Sequence, residues 1–225
     1  MCQFKSALAL KDRIFLPDYD SHDKMLQELG IEDNFTNASK VFVRVELSPA
    51  DGDIFSDVEG WKLKVDQDIL PDWWNESERL PKLKKLVETW MQKHTIYGER
   101  EVSDGVWIAT DSATVTAYGS ATVTAYGSAT VTACDSATVT AYDSATVTAY
   151  DSATVTAYVS ATVKAYGSAT VKAYDRATVT ACDSATVIVP KRFATDGVIE
   201  LNDDSVCINH KTHTIRSAIK WKQEE

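Results

Sequence analysis

The chain alternates apolar and polar residues most regularly between Asp111 and Pro190. This segment is ten consecutive octapeptides, the last of them degenerate, with the unit Gly/Asp-Ser-Ala-Thr-Val-Thr-Ala-Tyr. In the first unit, Ala113, Val115 and Ala117 alternate with serine and threonine, a period of two that predicts a β-strand. Gly or Asp at the first position is typical of a turn. A short strand and a turn in every octapeptide predict a parallel β-solenoid, because identical units stack with like residues in columns.

Lysine substitutions indicate which side of these strands faces water. The sixth position is Thr116 in the first octapeptide but Lys164 and Lys172 in later ones. A lysine must reach solvent, so positions four and six face outward and the Ala-Val-Ala side forms the core. These small side chains fill a thin space, which favours a 16-residue coil made of two octapeptides. A three-sided, 24-residue coil is the alternative.

A 16-residue coil predicts columns of identical residues on the solenoid surface. Threonines of neighbouring coils would lie about 4.8 Å apart in flat rows. The first of these surface threonines are Thr114, Thr116, Thr122 and Thr124. One edge would carry an uninterrupted tyrosine ladder made of Tyr126, Tyr142, Tyr158 and Tyr174. Cys134 and Cys182 would lie at least about 9 Å apart along the stack, which predicts no disulfide between them.

The segment before the repeats has an α+β pattern. Strands are predicted over Phe4–Leu10 and Lys40–Leu47, and a helix over His22–Leu29 begins after Ser21. A second amphipathic helix ends near His94, and its apolar face includes Leu80, Leu83, Leu86, Val87, Trp90 and Met91. Pro81 suits the first turn of that helix.

The predicted fold class is an α+β N-terminal domain followed by a parallel β-solenoid and a C-terminal β cap. The corresponding ranges are 1–110 for the head domain, 111–190 for the solenoid and 191–225 for the cap. A hairpin across residues 209–212 and Trp221 above the last coil would form the cap.

Charge and composition narrow the classes of partner. The net charge of −10 argues against a nucleic-acid partner. No apolar run reaches the roughly 20 residues that a membrane helix needs, so no membrane partner is expected. The N-terminal residues lack the layout of a signal peptide, which predicts a cytoplasmic or virion-associated protein.

Candidate chemistry is sparse and is centred on Asp66, Asp68 and Asp72. Three carboxylates this close in sequence are a candidate cation site, but apolar residues interrupt the ligand spacing, which favours a turn with capping aspartates. The adjacent Trp73 and Trp74 are candidates for a partner anchor or for core packing. His210 and His213 form a surface pair without a third ligand. No metal, cofactor or catalytic residue is expected, and no enzymatic activity.

Two resemblances extend this interpretation. The repeat is similar to that of bacterial ice-nucleation proteins, whose coils also carry Thr-x-Thr and tyrosine rows, but Lys164 and Lys172 would interrupt a regular ice-binding lattice. The whole chain resembles an uncharacterised phage and gut-bacterial protein family with Ala-Thr-Val octapeptides. The segments that carry this second resemblance are Cys2–Ala7, Pro17–His22, Met25–Gly30, Phe42–Leu47 and Val65–Trp73. It implies a phage or prophage context and transfers no catalytic residue.

These observations predict a non-enzymatic structural or interaction protein. Its head would bind an unknown protein partner, and the solenoid would act as a spacer or flat contact surface, because near-identical repeats provide rows of equal groups rather than one constellation of unlike groups. The alternatives are a self-assembling scaffold, in which the partner is a second copy, and a phage adhesin. Ice binding and a head-domain enzyme are less favoured.

Overall fold

The computed structural model describes residues 5–50, 52–191, 197–210, 212 and 214–217. It divides the chain into two compact units, which we call unit 1, ending at Lys93, and unit 2, beginning at His94. Unit 1 is α+β and unit 2 is a parallel β-solenoid, as the sequence predicts.

Unit 1 contains a four-stranded antiparallel sheet in the order β2-β1-β3-β4. The strands are β1 (Lys5–Leu10), β2 (Ile14–Phe15), β3 (Phe42–Ser48) and β4 (Lys62–Val65). The helices are α1 (His22–Glu28), α2 (Phe35–Ala38) and α3 (Glu76–His94), with a 3-10 turn at Val58–Gly60. The predicted Ser21 cap is present, since its side chain accepts a hydrogen bond from the Lys24 amide. Pro81 lies inside α3 rather than in its first turn, because Glu76 and Glu78 already form that turn.

Strand β1 is buried on both faces, which explains the apolar run from Ala7 to Leu10. Ala7 and Ala9 pack in one core cluster with Val87 of α3, and Leu8 and Leu10 pack in another with Met25 and Leu26 of α1. Successive side chains of a strand point to opposite faces of the sheet. The two clusters therefore lie on opposite sides of the sheet.

The solenoid of unit 2 consists of two sheets whose strands alternate along the chain. The seven-stranded sheet contains β6 (Glu99–Val102), β8 (Thr114–Ala117), β10 (Thr130–Ala133), β12 (Thr146–Ala149), β14 (Thr162–Ala165), β16 (Thr178–Ala181) and β18 (Ile199–Leu201). The nine-stranded sheet contains β5 (Thr95–Ile96), β7 (Val106–Ala109), β9 (Thr122–Ala125), β11 (Thr138–Ala141), β13 (Thr154–Ala157), β15 (Thr170–Ala173), β17 (Thr186–Val189), β19 (Val206–Asn209) and β20 (Thr214–Ser217).

Strand register confirms the 16-residue coil. Val131 pairs in parallel with Val115 on one side and with Val147 on the other. The inward-facing alanines and valines of the octapeptide strands are fully buried, from Ala113 to Val187. The Ala-Val-Ala side is therefore the core, and the 24-residue alternative is wrong.

The solenoid extends beyond the octapeptides at both ends. It begins at Thr95 rather than at residue 111, so its first strands lie inside the range predicted for the head domain. In this first coil, Arg100 pairs with Val115 and Trp107 pairs with Val123. Because these positions do not carry valine, the sequence of the first coil does not match the octapeptide pattern. Part of the predicted cap also continues the coils, because β18 and β19 pair in parallel with β16 and β17.

The C-terminal end of the nine-stranded sheet is an antiparallel pair. Strand β20 runs against β19, with Ile208 opposite Ile215, which gives the hairpin expected there. Val206 pairs with Thr186, so this last coil is longer than the octapeptide coils. Trp221 lies outside the described residues.

The first residue of every octapeptide adopts the left-handed backbone conformation. Gly127 has φ of +64°, Asp143 of +56° and Val159 of +59°. Glycine enters this region freely, and aspartate does so more readily than most residues. The turn conformation therefore explains why Gly and Asp dominate this position.

Candidate functional site

The surface threonines form rows on both sheets. Thr114 is exposed, Thr116, Thr122 and Thr124 are half-buried, and the threonines of neighbouring coils pair in register. Parallel neighbours in a sheet lie about 4.8 Å apart. Each sheet thus carries two rows of hydroxyl and methyl groups at a fixed spacing. Exposed Lys164 interrupts a row on the seven-stranded sheet, and exposed Lys172 interrupts one on the nine-stranded sheet.

The four predicted ladder tyrosines stack on one another where the chain leaves the nine-stranded sheet. Ring centroids are 5.1 Å apart for Tyr126 and Tyr142, 5.0 Å for Tyr142 and Tyr158, and 4.7 Å for Tyr158 and Tyr174, with nearly parallel planes. Burial raises the pKa of Tyr142, and burial followed by the neighbouring tyrosines and Asp175 raises the pKa of Tyr158. The stack is a narrow column of aromatic faces and edges.

The opposite side of the solenoid carries a shorter aromatic stack and two free cysteines. Tyr150 and Tyr166 stack with ring centroids 5.3 Å apart. Cys134 and Cys182 occupy equivalent positions in other coils, and both are free thiols. Burial is the main cause that raises the pKa of Cys134, and the nearby Asp151 and Asp135 add to it. A raised pKa lowers the fraction of this thiol that is present as thiolate at neutral pH.

In unit 1, Asp66 belongs to a cluster that the sequence pattern does not group. Strand pairing places Glu46 of β3 opposite Lys64 of β4, and Asp66 follows Lys64 on the same side. The Lys64 ammonium lies 3.2 Å from Glu46 Oε2 and 3.1 Å from Asp66 Oδ1. The hydrogen bond from Lys64 lowers the pKa of Asp66. Two carboxylates from neighbouring segments therefore share one cation.

His22 completes this cluster from the first turn of α1. Its Nε2 lies 3.3 Å from the carbonyl oxygen of Val45, and its Nδ1 lies 4.0 Å from Asp66 Oδ2. The ligand atoms of His22, Glu46 and Asp66 all lie within 4.8 Å of one another. His22 and Glu46 are buried, whereas Asp66 is exposed. Cross-strand pairing could have indicated Glu46 in advance, but nothing in the sequence places α1 beside these strands.

Asp68 and Asp72 do not join Asp66. Asp72 is exposed, and among the residues that the structure describes the only group of three or more metal-ligating side chains is His22, Glu46 and Asp66. The three aspartates thus do not form one site. Between Asp68 and Asp72 the side chains of Ile69 and Leu70 are exposed.

Trp73 and Trp74 are half-buried and pack against the core cluster that contains Val87 of α3. The Trp73 indole N–H donates to the Lys40 carbonyl oxygen at 2.6 Å, and the two rings meet edge to face at 6.4 Å. Both tryptophans therefore stabilise unit 1. Any apolar anchor in this segment is Ile69 or Leu70.

Two further polar features carry titratable groups. Lys5 is buried in β1, where it pairs with Asp20 at 3.2 Å and lies 4.4 Å from the Trp90 ring centroid. Burial lowers the pKa of Lys5, and Asp20 opposes that shift. Of the predicted histidine pair, His210 is exposed and His213 lies outside the described residues.

Comparison of the chain with protein-family models, with curated proteins and with solved structures finds no match. Among the described residues, no helix has both the length and the apolar character needed to cross a membrane. The phage and ice-nucleation resemblances therefore stay predictions from the sequence.

Proposed function

We propose that this chain is a non-enzymatic interaction protein in which unit 1 binds a partner protein and the solenoid serves as a rigid spacer with a flat contact surface. The observation that carries the proposal is the equivalence of successive coils. Thr130 stands in register with Thr114 and Thr146, and Val131 with Val115 and Val147. Equal groups in rows suit extended contacts, whereas catalysis needs unlike groups in one constellation.

The core and the turns support the spacer role. Every inward side chain of the octapeptides is fully buried, and the strands of each coil bond to those of the coils above and below. The turns are also tied together, because Asp143 Oδ2 accepts a hydrogen bond from the Gly127 amide and Asp183 Oδ2 accepts one from the Gly167 amide. Such a stack resists separation of its coils and keeps its rows in register.

The exposed apolar segment of unit 1 offers an attachment point for the partner. Ile69 is 37% exposed and Leu70 is 43% exposed, and both stand between the acidic Asp68 and Asp72. Apolar side chains ringed by charge are typical of the centre and rim of a protein interface. The partner chemistry that fits is an apolar pocket with basic residues at its rim.

The test is partner capture with the full-length chain and a matched pair of variants. Leu70→Lys places a charge on the exposed segment, and Phe55→Lys alters a residue of similar exposure, 41%, elsewhere in unit 1. In a lysate of the cells that produce the chain, we expect the wild type and Phe55→Lys to retain the same protein. Leu70→Lys should lose it. Equal capture by all three forms would contradict a partner site at this segment.

Self-assembly is the second candidate, and one observation favours it. In the described residues, β20 covers β19 at the end of the nine-stranded sheet, whereas β18 is the last strand of the seven-stranded sheet. An uncovered strand edge can pair with another chain. Light scattering should give a mass that rises with concentration if this edge assembles, and a constant mass near 24.8 kDa if it does not.

A further inference from the structure

The geometry points to a binding site for a divalent transition-metal ion in unit 1, formed by His22, Glu46 and Asp66, which is separate from the partner function proposed above. Their ligand atoms lie within 4.8 Å of one another and come from three segments of the fold. A tetrahedral zinc ion with bonds of about 2.0–2.2 Å holds its ligands about 3.4 Å apart. Small side-chain movements would bring these three groups to that spacing.

The orientation of His22 supports coordination through Nδ1. Its Nε2 lies 3.3 Å from the Val45 carbonyl oxygen, which can only accept, so the proton of the neutral ring belongs on Nε2. The lone pair is then on Nδ1, which faces Asp66 Oδ2 at 4.0 Å. Metal-ligating histidines commonly donate their other ring N–H to a carbonyl or carboxylate in this way, and that bond fixes the ring.

Burial gives the site one fixed side and one adaptable side. The side chains of His22 and Glu46 are 8% and 9% exposed, whereas that of Asp66 is 45% exposed. The two buried groups are held by α1 and β3, and Asp66 has room to close on an ion. With three protein ligands, a fourth position stays open to water, as in many zinc sites.

Lys64 already marks the position of a cation. Its ammonium lies between Glu46 and Asp66, at 3.2 and 3.1 Å, and its side chain is 62% exposed. A long exposed lysine can swing into solvent at little cost. A divalent ion that takes its place brings a second positive charge and adds the His22 nitrogen as a ligand. Lys64 therefore competes with the metal.

The nitrogen ligand selects the class of ion. Imidazole with carboxylates suits zinc and neighbouring transition metals, whereas calcium and magnesium prefer sites made of oxygen alone. We therefore expect Zn²⁺ to bind at this cluster more tightly than Ca²⁺.

The test is calorimetric titration of the full-length chain with Zn²⁺ alone. Asp66→Asn removes one direct ligand at the surface and should weaken this binding step by at least the roughly 10–100-fold that follows from loss of an outer-shell partner. Asp68→Asn is the matched control, because Asp68 lies near Asp66 in the chain but outside the cluster, and it should bind as the wild type does. Lys64→Met removes the competing charge and should tighten the same step. Zinc held by thiols is common to all four forms and cancels in the comparison.

Three results would overturn the proposal. In the first, the wild type shows no zinc-binding step that Asp66→Asn weakens. In the second, Lys64→Met binds zinc no more tightly than the wild type does. In the third, the cluster binds Ca²⁺ as tightly as Zn²⁺. Circular dichroism of each variant checks that its fold is intact, and the exposure of Asp66 and Lys64 makes that result expected.

Discussion

The first residue of each octapeptide has two separate tasks. It must enter the left-handed backbone region, and an aspartate there also accepts a hydrogen bond from the amide one coil earlier, as Asp143 does from Gly127 at 3.2 Å. Composition predicted the turn but not this bond, because the bond depends on coil spacing. Val159 is the exception, since a β-branched residue at φ of +59° is strained and its side chain cannot accept a hydrogen bond.

Relief of this strain should stabilise the solenoid. Val159→Gly removes the steric penalty, and Val159→Asp also supplies an acceptor toward Asp143 of the previous coil. We expect each to raise the free energy of unfolding by about 1–2 kcal/mol, measured by thermal or urea unfolding. Val159→Ile keeps the β-branch and serves as the control. An equal gain for Val159→Ile, or a loss for Val159→Gly, would show that the backbone there is unstrained.

At the scale of elements, the sequence predicted the structure of the repeated strands but not the contacts that depend on tertiary packing. The alternation of apolar and polar residues, together with Lys164 and Lys172, was enough to predict which side chains face the core, which face solvent and which tyrosines form a column. The first coil was missed because Arg100 and Trp107, whose guanidinium and ring lie 4.1 Å apart, replace the valines of later coils. Likewise Asp66 could be singled out, but His22 and Glu46 join it only through tertiary packing.

The tyrosine stack should make the stability of the solenoid decrease as the pH rises in the alkaline range. The pKa of Tyr158 is raised in the folded chain above its ordinary value of about 10, so the native state holds its proton more tightly than the unfolded state. This contribution is complete below about pH 10 and is lost as pH rises through the folded pKa.

We therefore expect the urea midpoint to fall as the pH rises above about 10, and Tyr158→Phe to reduce that fall. Tyr97→Phe is the control, because Tyr97 is 65% exposed and lies outside the stack. A fall of the same size in the wild type and in Tyr158→Phe would show that the tyrosine stack does not cause the pH dependence.

At the scale of the whole molecule, unit 2 is a one-dimensional array. Coils bond only to their neighbours, so one coil can be removed without altering the contacts of the others. Deletion of residues 143–158 removes one complete coil and rejoins equivalent positions. Deletion of residues 143–154 is the control. Because twelve is not a multiple of eight, this deletion shifts the register, so that turn residues of one coil align with strand residues of the next.

We expect the 16-residue deletion to keep the circular dichroism of β-structure and a cooperative unfolding transition at a somewhat lower temperature. The 12-residue deletion should lose that transition. Similar melting curves for both deletions would mean that the 16-residue coils are not independent units.

Like residues stand in columns with a 16-residue period, and the threonine rows and the spacer role both depend on this register. Disulfide formation tests this register directly. In a 16-residue coil, Tyr150 is the next residue in the column of Cys134, whereas in a 24-residue coil Tyr158 would be. Neighbouring coils are about 4.8 Å apart, within the Cα range that a disulfide spans. After mild oxidation, peptide mapping should find Cys134 bonded to the cysteine of Tyr150→Cys and not to that of Tyr158→Cys. The reverse result would contradict the 16-residue coil and the surface built on it.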